Sequence, residues 1–252
     1  MLVTTLAKNG DRVIRGHPSI PAASYAIELM GRETRAYEAV FNNGIEMFRP
    51  DRIKQFDAVC FNNTQGVLWD DPELKKSLED YVNSGHGVVG FHAVIATFVQ
   101  YPKYDQWPWF GRMIGGTENG GHPWMPNDKF TFRVDDPKSA INAVFKGSGF
   151  ELVDEVMQLQ ETGLREHLHV LLSIDMAHTA PPSRKLLPVR EQDKDFPLTW
   201  IRNEQKGRVF CSGLGHNPQV FWNGPLLTHF LAGIQFALGD LKADAAPGAK
   251  KR

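Results

Sequence analysis

The sequence predicts an α/β fold built on an open, mostly parallel sheet, and three features carry that prediction. Short β-rich runs alternate with helix-like segments along the chain. The run 58–62, AVCFN, is continuously apolar, as a strand buried on both faces must be. From residue 71 to residue 91 a capped helix feeds directly into another apolar run, the strand–helix–strand order of a parallel unit.

Taken in order, residues 2–6 form the first expected strand, followed by a polar loop through Gly16, His17 and Pro18. Residues 20–33 read as a helix because Ala23, Ile27 and Met30 recur at spacings of four and three. A short strand at 39–41 and the strand at 58–62 come next. The helix after Asp71 has the clearest start. Asp71 caps it, Pro72 fits its first turn, Glu73 complements the helix dipole, and Leu74, Leu78, Tyr81 and Val82 make its apolar stripe. Gly85 suits its left-handed end, and residues 88–91 return as a strand that runs into His92. Residues 107–121 are aromatic and Gly-rich and read as a loop over a cleft. Strands are expected at 130–134, 150–159, 169–174, 197–202 and 208–212, with an exposed excursion at 180–192 and a last helix at 226–238. One domain is expected over residues 1–241, and the small, charged residues 242–252 read as a frayed tail.

Composition narrows the function. At 252 residues, with 42% apolar and 23% charged, the chain can bury a sizeable core without staples. Lys plus Arg number 28 against 29 Asp plus Glu, which argues against nucleic acid or an anionic membrane as partner. There is no signal-peptide pattern and no apolar run of membrane-spanning length, so a cytoplasmic protein is expected. Cys60 and Cys211 each lie inside an apolar run and read as buried, reduced thiols.

In an open parallel sheet, ligands bind outside the carboxyl ends of the strands. Four histidines fall there or in Gly-rich loops: His17 in RGHP, His92 ending GVVGFH, His122 in GGHPW and His216 in SGLGHNP. Neutral imidazole is both a common metal ligand and a general base near neutral pH. No HxxxH or HExxH spacing occurs among them, so the fold itself must assemble any cluster. His92, His122 and His216 are the candidate catalytic groups and metal ligands, with a divalent ion such as Zn²⁺ as the expected cofactor. His167 and His169 would share one side of a strand at a solvated edge. His92 occupies the nucleophile's place in an elbow-like GFHA turn, which disfavours cysteine amidotransferase chemistry. Acidic candidates are Glu118, Asp154, Glu155, Asp193 and Asp195; the pair in VDEV stands out because buried charges in a β run are unusual. For Asp193 and Asp195 a solvated turn is the better reading. Trp107, Trp109, Trp124 and Trp222 lie in loops, where an aromatic face suits a sugar ring and equally suits loop packing. The glycines of 111–121 do not make a nucleotide-binding fingerprint, so no nucleotide is expected.

Several stretches together resemble the ThuA-like, trehalose-utilisation family. They are HPSIPAA from His17, FDAVCFNNTQG from Phe56, YVNSGHGVVGFHA from Tyr81 and GHPW from Gly121. DKDFPLTW from Asp193, GRVFCSGLGH from Gly207 and HFLAGIQFALGD from His229 complete the ordered set. The resemblance implies a flavodoxin-like, doubly wound sheet of the class I glutamine amidotransferase type. It also implies a role with trehalose, related disaccharides or 3-keto sugars. His17, Asn63, Glu118 and Trp124 are the expected substrate contacts, a small sugar the expected partner, and a homo-oligomer compatible with it. The chain departs from the family after GFHA, where Val94, Ile95 and Ala96 replace a polar stretch containing an Asp. A metal-assisted sugar-processing enzyme leads. A non-catalytic carbohydrate-binding or regulatory domain, and a metal-free hydrolase related to the amidotransferases, are the alternatives.

Overall fold

A computed structural model describes residues 1–180 and 195–248. Its centre is a nine-stranded sheet. The strands are β1 (Leu2–Thr4), β2 (Val40–Phe41), β3 (Ala58–Asn62), β4 (Gly87–Phe91), β5 (Lys129–Val134), β6 (Glu151–Val153), β7 (His169–Ile174), β8 (Pro197–Glu204) and β9 (Gly207–Ser212). Across the sheet the order is β6-β5-β7-β8-β9-β4-β3-β1-β2. From β9 to β2 all neighbours are parallel, and β8, β7, β5 and β6 extend the sheet antiparallel. Main helices are α1 (Ile20–Thr34), α2 (Pro72–Asn83), α3 (Pro108–Ile114) and α4 (Gly224–Leu238).

The helices cover both faces, which is the expected doubly wound arrangement. Along β3 the side chains alternate between two cores, Ala58 and Cys60 to one and Val59 and Phe61 to the other. On the first face Ala23 and Ile27 of α1 and Phe230 and Ile234 of α4 join Phe91 and Phe210. On the second, Leu74 and Leu78 of α2 and Phe110 and Met113 of α3 join Val59, Phe61 and Val88. The Asp71 carboxylate accepts the Glu73 N–H at 2.8 Å, capping α2 as its sequence suggests. Cys60 and Cys211 are fully buried free thiols, and burial raises both above the ordinary thiol range.

Two expectations are corrected. The aromatic stretch 107–121 is not all loop, because residues 108–114 form α3. Phe110, Met113 and Ile114 bury one face, Pro108 opens the helix, and Gly115 closes it at φ +106. The run 150–159 is a strand only over Glu151–Val153; beyond it the chain leaves the ladder, with single bridges from Val156 to Trp124 and from Leu159 to Glu118. The excursion at 181–192, Asp193 and residues 249–252 lie outside the described residues. Of the tail, residues 242–248 are described. Ala245 is buried, the Ala246 carbonyl meets His169 Nδ1 at 2.7 Å, and the Gly248 N–H donates to the Leu168 carbonyl.

His229 of α4 yields the first prediction. It is fully buried, its Nδ1 lies 3.2 Å from the Ile141 carbonyl, and its Nε2 lies 3.0 Å from Thr199 Oγ1. Burial pushes its pKa down to about 3, only partly opposed by the Ile141 carbonyl. The unfolded chain, with an ordinary imidazole, takes up the proton first. Stability is therefore lost as pH falls through about 6.5 and continues to fall toward 3. Between pH 6.5 and 5 this group alone should cost about 2 kcal/mol. Urea unfolding of wild type and His229→Gln at both pH values checks it: the acid-induced loss should be smaller in the variant by that amount.

Candidate functional site

The carboxyl ends of the parallel strands bring three histidines together. His92 follows β4 directly and opens a 3-10 turn, His92–Ala96, with the left-handed φ of +45. An L-residue there is strained by crowding against its own Cβ, and such strain persists only where surroundings hold it. One such restraint is visible: His92 Nδ1 donates to the Gly213 carbonyl at 2.9 Å. That bond fixes the tautomer and leaves the Nε2 lone pair facing the site.

His216 follows β9, on a loop whose Gly215 has φ +125 and where any Cβ would meet Phe221 at 2.9 Å. His17 precedes α1, and buried Ser19 donates to the Gly215 carbonyl at 2.6 Å, tying the two loops together. The three imidazoles stand nearly perpendicular to one another. Their centroids are 4.8 Å apart for His17 and His92, 5.3 Å for His17 and His216, and 5.2 Å for His92 and His216.

The fourth member is Glu155, from the chain that leaves β6. Its Oε2 lies 3.0 Å from His216 Nδ1 and 3.6 Å from His92 Nε2. One donor atom from each of His17, His92, Glu155 and His216 falls within 4.8 Å of all the others. Three nitrogens and a carboxylate oxygen suit Zn²⁺ and related first-row ions, so these residues could hold a metal. Two further observations fit that set. His17 Nδ1 is buried without a hydrogen-bond partner among the described residues, a lone pair or N–H left unsatisfied there. Burial and then the charges of His92 and His216 push the His17 pKa down to about 3, so its ring is neutral and able to ligate.

Glu155 and His216 stabilise each other's charge. Burial works to raise the Glu155 carboxyl, but the hydrogen bond from His216 and the nearby His92 and His122 hold it well below the usual carboxylate range. Burial likewise works to lower His216, yet Glu155 and Asp154 leave it above the ordinary imidazole value. Asp154 sits beneath as a clamp: its two carboxylate oxygens accept the N–H groups of Gly215 and Asn217 at 2.7 and 2.8 Å. Burial raises the Asp154 carboxyl, against His92 and those backbone donors.

His122 stands beside the four. Its Nε2 is 3.7 Å from Glu155 Oε2 and 3.7 Å from Glu118 Oε1, and its side chain stays 21% exposed, so it can meet a ligand from solvent. Glu118 is buried and accepts the Tyr101 hydroxyl at 2.8 Å. Asn63 follows β3 at φ +55, fully buried. Its N–H donates to the Phe91 carbonyl, and its Oδ1 has no hydrogen-bond partner. Trp124 goes elsewhere: it is buried to 1% in the core against Phe196, with its indole N–H donating to the Ala180 carbonyl. A ring so enclosed offers no face to a ligand from solvent.

Among the other candidates, exposed Asp195 pairs with Arg165 at 2.6 Å. His169 pairs with Asp136 at 3.0 Å, apart from the cluster. Trp222 is 58% exposed, and Trp107 and Trp109 are half-buried. The stretch Val94, Ile95 and Ala96 is wholly buried, so it carries core packing in place of polar contacts. No helix among the described residues is long and apolar enough to cross a membrane.

Comparison with known proteins bears on the fold and the family. No protein of curated function matches the chain. A ThuA-like protein from Bacteroides uniformis is similar in structure, with 16% identity over 96% of this chain and 92% of its own and a TM-score of 0.69. A ThuA-like protein from Parabacteroides merdae has 15% identity, covers 96% and 91% of the two chains, and has a TM-score of 0.65. A cytoplasmic protein from Salmonella typhimurium, at 12% identity and 96% and 98% coverage, has a TM-score of 0.57. These likenesses concern the fold. The family model described as trehalose utilisation matches residues 6–237, nearly the whole chain, and the protein is therefore a member of the ThuA family.

Proposed function

We propose that this protein is a metal-dependent sugar-processing enzyme, with His17, His92, Glu155 and His216 holding the ion. The observation that carries the reading is the convergence of their four donor atoms within 4.8 Å at the carboxyl rim of the sheet. The family description, trehalose utilisation, supports a sugar as the substrate. When bound, a divalent cation such as Zn²⁺ supplies Lewis acidity toward a carbonyl or hydroxyl oxygen of the sugar.

The chain's own residues supply the rest. His122 is half-buried beside the cluster and holds or moves a proton at Nε2. The Glu118 carboxylate, held by the Tyr101 hydroxyl, lies 3.7 Å from that ring and orients it. Full burial of His92 keeps bulk water from the floor of the site.

The test is metal analysis of purified protein together with turnover of glucose disaccharides and their 3-keto derivatives. His122→Gln should keep wild-type metal content while turnover falls by about 10²–10⁴-fold, the range of a general acid–base group. Turnover unchanged in that variant would remove His122 from the chemistry. Binding of sugar without any turnover in the wild type would leave a carbohydrate-binding module in place of an enzyme.

A further inference from the structure

A cavity opens on the same rim, outside the histidine cluster. It measures about 630 Å³, within the roughly 300–1,000 Å³ of small-molecule sites. Its walls come from the turn joining Lys8–Asn9 to Arg12–Val13, from the loop after β3, and from residues 98–107 after β4. All three follow parallel strands at their carboxyl ends, as the histidines do.

The lining is chemically distinctive. Tyr101 and Trp107 supply aromatic surface and Trp69 an indole N–H, while Asp11, Asp70 and Asp105 supply carboxylates. Trp107 packs edge-on to Phe98 at 5.2 Å, and Lys75, paired with Asp70, places its ammonium 5.6 Å from the Trp107 centroid. Trp69 is 4% exposed, and its indole N–H is buried without a hydrogen-bond partner among the described residues. A donor left unpaired in a cavity wall is costly, and an incoming oxygen would offset that cost. Gly66 forms part of the wall, and its absent side chain matters because a Cβ there would collide with the Lys8 carbonyl.

Aromatic faces match the C–H faces of a pyranose, and carboxylates accept from adjacent hydroxyls, so the cavity suits an uncharged polyhydroxylated ring. It is also connected to the histidine site. Tyr101 lines the cavity and donates to Glu118 Oε2, whose other oxygen lies 3.7 Å from His122 Nε2. One buried carboxylate thus separates the cavity from the proton-handling histidine.

We infer that this cavity is a binding site for a second sugar ring, so that the ligand is a disaccharide or longer lying from Trp107 to His122. The inference rests on the sugar reading above and adds where the non-reacting ring sits. The experiment is calorimetric titration of zinc-loaded full-length protein with glucose and with three of its disaccharides, α,α-trehalose, maltose and sucrose. Wild type, Trp107→Ala and Asp11→Asn are compared; Asp11 is exposed, so its replacement leaves the packing intact. At least one disaccharide should bind about tenfold tighter than glucose. Trp107→Ala should abolish that preference and Asp11→Asn reduce it several-fold, with glucose affinity and zinc content unchanged in both. Equal affinity for glucose and all three disaccharides, or a preference untouched by either variant, overturns the second-ring site and leaves the sugar reading standing. Absence of any sugar binding in the wild type overturns both.

Discussion

Replacing Glu155 with glutamine is expected to lower zinc affinity by more than about 100-fold. Loss of an outer partner of a metal ligand costs about 10- to 100-fold, and Glu155 is the cluster's sole carboxylate in direct reach of two imidazoles, so its loss should exceed that range. Glutamine keeps the size of the side chain and removes the anion. The charge that offsets a divalent cation disappears, and the contact 3.0 Å from His216 Nδ1 becomes that of a neutral amide in place of an anion. Competition with a fluorescent zinc chelator measures the change directly. Affinity within a few-fold of wild type would show that the carboxylate is not a ligand.

Asp154→Ala should destabilise the fold more than any exchange among the converging donors. Asp154 is fully buried, and its carboxylate is the acceptor for the Gly215 and Asn217 N–H groups. Alanine leaves both donors without their acceptor, the Gly215 N–H buried and the Asn217 N–H half-buried, at about 1–3 kcal/mol each, for a total loss of about 2–6 kcal/mol. The same two bonds hold the loop that carries His216, so zinc affinity should fall as well, by about 10- to 100-fold, although Asp154 is outside the set of converging donors. Chemical denaturation and metal titration of one preparation check both parts. A loss of stability with full zinc affinity would mean that His216 is positioned by something other than this clamp.

Much of the fold was readable because its signals are local. The cap at Asp71, the apolar stripe of α2 and the two-faced run of β3 each express a single element's burial pattern. α3 was hidden by composition, since Gly111, Gly115 and Gly116 with three nearby aromatics resemble a loop. Its signals were nonetheless present in Pro108 at the start and Phe110, Met113 and Ile114 on one face. The end of β6 was overextended for a related reason. Asp154 and Glu155 interrupt an otherwise apolar stretch, and the chain leaves the ladder there so that one clamps a loop and the other joins the histidines.

The site was legible as a set of strand-end histidines but not as a coordination group. His17, His92 and His216 lie far apart in sequence, and parallel topology alone gathers them. His122 and Glu155 exchange the expected places: the histidine stands beside the cluster and the acid within it. The charged pair in VDEV was the available signal for Glu155. Trp124 shows the opposite error, a tryptophan in a polar sequence context that the fold uses to fill its core.

The central claim is that His17, His92, Glu155 and His216 ligate one metal ion, and anomalous diffraction from zinc-loaded crystals tests it most directly. The account predicts a single strong zinc peak about 2.0–2.2 Å from one atom of each of the four side chains. A peak bound by other residues, or none at saturating zinc, would contradict it.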